Sequence, residues 1–134
     1  MLKLNSRIPR LWLRINKIEF GNNLKLIGYP FLFRFSGAKI IIGNNASINS
    51  SFLSNLLGLY QRTIIVARNK AIISIGDNVG ISGATIYAID NIEIGNDCLI
   101  GANTKIVDND FHSLNPEERK NSVGGYCKPA CQNW

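Results

Sequence analysis

Apolar residues recur along much of this chain at intervals of six, and a fixed polar phrase follows them. The phrase is hydrophobic-Gly-[Asn/Asp]-[Asn/Asp], and it occurs at Phe20-Gly21-Asn22-Asn23, Ile42-Gly43-Asn44-Asn45, Ile75-Gly76-Asp77-Asn78 and Ile94-Gly95-Asn96-Asp97. From the last copy, Ile94, Ile100 and Ile106 head three consecutive six-residue units. One aliphatic residue every six places can point inward once per flat side of a three-sided coil. Glycine and Asn/Asp would then make the corners, since these residues accept positive φ most readily. A second, small residue points inward two places before each aliphatic; Val79, Thr85, Cys98 and Thr104 are assigned to these slots. Each side is a short strand buried on one face, which suits the many β-branched residues.

The four phrases lie 22, 33 and 19 residues apart. Three six-residue sides make a coil of roughly 18 residues, so the surplus is assigned to loops between coils. The largest insertion is expected within 51–70, where the six-residue phase is absent. Its apolar residues Leu56, Leu57, Leu59, Tyr60 and Ile64 to Val66 predict packing on a side of the coil or on another subunit. The repeat breaks after Ile106, because Asp110 and His112 occupy slots that should be apolar and a buried unpaired charge is costly. The chain is therefore expected to leave the coil there, at the protein's single histidine. The predicted fold is all-β, a parallel β-helix over 19–112.

Ahead of it, Leu4, Ile8, Leu11, Ile15 and Ile18 recur at spacings of three and four, a helical pattern. Residues 1–18 are read as a short basic helix that caps the first coil, since terminal repeats of solenoids need covering. Charge adds a second reading. Of fifteen Lys and Arg residues, Lys3, Arg7, Arg10, Arg14 and Lys17 fall in this segment, with no acid among them. The remainder of the chain is nearly balanced, which argues against nucleic acid and leaves peripheral contact with an anionic membrane as the alternative role of 1–18. Three cysteines, an odd and sparse set, suit a reducing cytoplasm. Cys98 reads as a small inward filler. Cys127 and Cys131 with one histidine do not make a four-ligand zinc site, so no metal is expected. No apolar run reaches the ~18–20 residues that span a bilayer, and Arg7, Arg10 and Arg14 interrupt any signal-peptide core. Past His112, Asn115-Pro116-Glu117-Glu118 has the cap, proline and acids of a helical turn. The segment 113–134 is read as an active-site loop and tail without hexads.

The run from Ile75 to Arg119 resembles the hexapeptide-repeat acyltransferases with a left-handed β-helix, and among them the sugar O-acetyltransferases of the maltose, galactoside and capsule or lipopolysaccharide type. The resemblance rests most on Ile106-Val107-Asp108-Asn109-Asp110-Phe111-His112 followed by Pro116-Glu117-Glu118-Arg119. It implies transfer of acetyl from acetyl-coenzyme A to a sugar hydroxyl in the cytoplasm, with His112 as general base. Asp110 would be the group that orients it, and Asp108 and Ser82 would bind the acceptor. Asp108, Asp110 and His112 alternate, so an extended segment would aim all three to one side; carboxylates that cap backbone amides are the competing structural role. Relatives are homotrimers with the site between subunits, and they carry further coils after a Lys-Pro like Lys128-Pro129. Here the sequence stops at Trp134. The alternative expectation is thus an inactive, truncated β-helical fragment, or a scaffold that joins a full-length relative. Within the same fold, γ-type carbonic anhydrases need three histidines, and sugar nucleotidyltransferases need a nucleotide domain that this length cannot hold.

Overall fold

The computed structural model describes residues 7–55, 58–112 and 115–117. A helix, α1 (Arg7–Ile15), leads into twelve short strands. In chain order these are β1 (Glu19–Phe20), β2 (Lys25–Gly28), β3 (Phe31–Arg34), β4 (Lys39–Ile42), β5 (Ser47–Ser50), β6 (Ile64–Ala67), β7 (Ile72–Ile75), β8 (Gly80–Ser82), β9 (Thr85–Ala88), β10 (Asn91–Ile94), β11 (Leu99–Ile100) and β12 (Lys105–Val107). Every third strand returns to the same sheet. The sheets are β1-β4-β7-β10, β2-β5-β8-β11 and β3-β6-β9-β12, all parallel. Four coils of three sides stack on one another, an arrangement compatible with a parallel β-helix.

The core is a set of columns running through the coils. Ile40 lies beside Ile73 and Ile73 beside Ile92 on the first side. Leu26, Ile48, Ile81 and Ile100 align on the second, and Leu32, Ile65, Ile86 and Ile106 on the third. Ile75, Ile81 and Ile94 are buried, while Cys98, Ile100 and Ile106 of the last coil are half-buried against the same core. Burial of each such side chain is worth roughly 1.5–3 kcal/mol, and among the described residues no strand covers the far side of the fourth coil.

The corner phrases form ladders, and they correct the reason given for glycine. Positive φ is carried by the last residue of each phrase, Asn23, Asn45, Asn78 and Asp97, at 56° to 59°. Glycine is needed because the next coil comes too close. A Cβ on Gly43 would lie 2.6 Å from the Gly76 backbone, and one on Gly76 would lie 2.8 Å from that of Gly95. The side chains continue the stack: Asn23 Nδ2 donates to Asn45 Oδ1, Asn45 Nδ2 to Asn78 Oδ1 and Asn78 Nδ2 to Asp97 Oδ1, at 2.9–3.2 Å. The middle residues add a second ladder, in which the amides of Asn22, Asn44 and Asp77 donate to Asn44 Oδ1, Asp77 Oδ1 and Asn96 Oδ1.

Three further expectations are revised. Thr85 does not point inward; Ala84 does, fully buried, because Ile86 follows Ile81 by five positions rather than six and Gly83, at φ +57°, tightens that corner. The irregular stretch is shorter than 51–70, since β6 begins at Ile64 and is fully paired. In the remainder Leu59 is buried against Gly83 and Gln61 Nε2 donates to Thr85 Oγ1 at 2.9 Å, whereas Tyr60 stands out at 82% exposure and Leu56 and Leu57 lie outside the described residues. The helix, finally, is turned. Leu13 is the described α1 side chain that enters the core, at 1% exposure, together with Ile18, whereas Leu11 and Ile15 stand out at 60% and 69%. Arg10 donates to the Leu24 carbonyl at 2.7 Å and Arg34 Nε to that of Asn16 at 2.8 Å, which fastens α1 to the first coil.

Candidate active site

The fourth coil ends at a corner whose hydrogen bonds depart from those of the corners before it. After β3 the Phe35 amide donates to the Ala67 carbonyl, and after β6 the Arg68 amide donates to that of Ala88. The next amide in this column, Ile89, has no backbone acceptor of that kind. It donates to the Asp108 carboxylate, at 2.8 and 3.1 Å to the two oxygens, and the Asp90 amide donates to Oδ2 at 2.8 Å. A side chain thus replaces the carbonyl that another turn of coil would supply, and the main chain is freed to turn away. Asp108 is half-buried and caps backbone amides.

Beyond Asp108 the segment is bent rather than extended. Asn109 Oδ1 accepts from the Phe111 amide at 3.1 Å, and Phe111 takes φ +59°, a conformation bulky residues rarely adopt. Its ring packs on Tyr87 with centroids 5.2 Å apart. The strict alternation expected of Asp108, Asp110 and His112 is therefore lost. Asp110 and His112 are exposed at the exit of the coil, close in sequence to the Asp108 anchor. Ser82 is not brought to them. It ends β8 on the second side, beside Asn49, and the whole of β9 separates it from the Asp108 corner.

The structure adds residues that sequence reasoning did not single out. Arg68 Nη1 donates to the Tyr87 hydroxyl at 3.2 Å, and its guanidinium lies 4.7 Å from the centre of the Phe35 ring. Phe35, Arg68, Tyr87 and Phe111 hence run across the coils to the bend before His112. The signal was faint, because Arg68 lay in a stretch read as insertion and isolated aromatics carry no period. At Asn115, Oδ1 accepts from the Glu117 amide at 3.1 Å, as its capping position requires; Glu118, Arg119, Cys127, Cys131 and the Lys128-Pro129 pair lie outside the described residues. Among the described residues no three His, Cys, Asp or Glu side chains gather, and no helix is long and apolar enough to cross a membrane. Comparison with family models, curated proteins and solved structures gave no match.

Proposed function

We propose that this chain is an acetyltransferase of the hexapeptide-repeat type, with a left-handed coil, that moves acetyl from acetyl-coenzyme A to a sugar hydroxyl in surface-polysaccharide synthesis. One observation carries the reading: the only histidine is held exposed at the coil exit, on a bend that Asp108 and the Phe111–Tyr87 contact pin to the third coil. In this reading His112 takes the proton of the acceptor hydroxyl as its oxygen attacks the thioester carbonyl. The carbon–sulfur bond then breaks and the thiolate of coenzyme A leaves. Asp110 orients the ring, and Asp108 fixes the segment that bears it. In related homotrimers the site lies between subunits, and the exposure of His112 suits a donor surface on a neighbouring chain.

A scaffold without catalysis is the second reading, and it is favoured by the fourth coil, which no strand covers among the described residues. Leu99 is 87% exposed and a Cβ on Gly95 would meet nothing within 4 Å, so this end can receive a coil from another chain. The two are separated by following coenzyme A thiol release with a panel of sugar acceptors. His112→Ala should slow transfer by roughly 10²–10⁴, and Asp110→Asn by less. Full activity in His112→Ala would end the catalytic assignment, and no release from the native chain with any acceptor would favour the scaffold.

A further inference from the structure

The orientation of α1 leaves a surface that the coil does not use. Leu11 and Ile15 lie one turn apart on its outer side and Trp12, itself partly exposed, lies next to them, opposite the buried Leu13. Trp12 also walls a pocket of about 240 Å³ with Tyr29, Phe31 and Arg62, and Tyr29 and Phe31 are exposed at its mouth. An aliphatic and aromatic patch therefore continues from the helix onto the corner between β2 and β3. Its surroundings are cationic. Glu19 is the one acid between Arg7 and Lys39, against seven basic residues, and Arg14 and Lys17 adjoin the apolar face.

We propose that this face docks on an anionic lipid bilayer, with Leu11, Trp12 and Ile15 at the boundary between headgroups and acyl chains and with Arg14 and Lys17 on lipid phosphates. The combination of an exposed apolar stripe, an interfacial Trp and Tyr, and flanking cations is that of an in-plane interfacial helix. The coil holds the helix preformed, so no ordering cost falls on binding. Charge decides against the other occupants. Two copies paired through this face across a two-fold axis would set Arg14 and Lys17 against their own images. A nucleic acid would use the cations and leave Leu11 and Ile15 in water. The proposal does not depend on acetyl transfer.

The test is sedimentation of the full chain with vesicles of phosphatidylcholine alone or mixed with phosphatidylglycerol. The native chain should bind only the mixed vesicles, and more weakly as salt rises. Leu11→Ser with Ile15→Ser should abolish binding while the circular dichroism and melting curve stay as in the native chain, because both residues are exposed. Arg14→Gln with Lys17→Gln should weaken it by roughly tenfold to thirtyfold. In a Trp134→Phe background, emission from Trp12 should shift to the blue on mixed vesicles. The proposal is overturned by any of three outcomes: no binding to mixed vesicles, binding kept by the Leu11/Ile15 variant, or a lipid-free dimer that this variant converts to monomer.

Discussion

Gly76 and Gly95 occupy the same place in consecutive corner phrases, yet they face different neighbours. Behind Gly76 stands the backbone of the fourth coil, and behind Gly95 no described residue comes within 4 Å. The constraint on the glycine is thus not its own φ but the approach of the next turn. Gly76→Ala should cost roughly 1–3 kcal/mol, the usual penalty of overpacking against atoms that cannot move aside. Gly95→Ala should stay within about 0.5 kcal/mol of the native chain. Urea denaturation of the two variants measures the difference, and equal costs would mean that something also covers the fourth coil.

At the scale of the element, the connection between β5 and β6 is fastened to the coil where it enters β6. Its anchor is Thr63, fully buried just before β6. The hydroxyl donates to the Asn49 carbonyl at 2.8 Å and accepts from the Gly83 amide at 3.0 Å, while the Thr63 amide donates to Ser50 Oγ at 3.0 Å. One side chain therefore joins the end of β5 to the tight corner after β8. Thr63→Val keeps the shape and removes two hydrogen bonds, leaving the Gly83 amide and the Asn49 carbonyl only their mutual bond at 3.1 Å, so it should cost about 1–3 kcal/mol, the net worth of the two bonds. Thr63→Ser keeps the bonds and loses a methyl, which should cost about 1 kcal/mol. Chemical denaturation that ranked serine below valine would show packing, not hydrogen bonding, to be what Thr63 contributes.

For the molecule as a whole, stability is passed from coil to coil. Each sheet strand of the second and third coils has a neighbour on both sides, whereas β10, β11 and β12 have one among the described residues. In such a stack the ends open first. Amides of β4 to β9 should exchange with deuterium more slowly than those of β10 to β12, as read by mass spectrometry of peptides. Uniform protection out to β12 would reveal a further coil or chain on that end. The same arrangement explains why the His112 segment can bend away: beyond Asp108 no ladder of the coil binds it.

What the sequence determined by itself is the phase of the coil. Ile42, Ile75 and Ile94 are each followed by Gly and two Asn or Asp residues, and this local pattern places the columns, the corners and the exit before His112 without reference to distant residues. Side-chain alternation and corner chemistry are properties of adjacent residues, so they are written in the chain. The rest depended on what lies one coil away. A step of five positions suffices from Ile81 to Ile86 because Leu59 and Thr63, from the preceding connection, meet the corner at Gly83. β6 was hidden in 51–70 because its pairing partners, β3 and β9, belong to other coils. Asp108 became a cap only where a backbone acceptor was missing, and Phe111 accepted positive φ in contact with Tyr87. The helical period of residues 4–18 likewise showed that Leu11 and Ile15 share a face. Which face turned inward was decided by the shape of the first coil, where Leu13 and Ile18 fit and the bonds of Arg10 and Arg34 hold them.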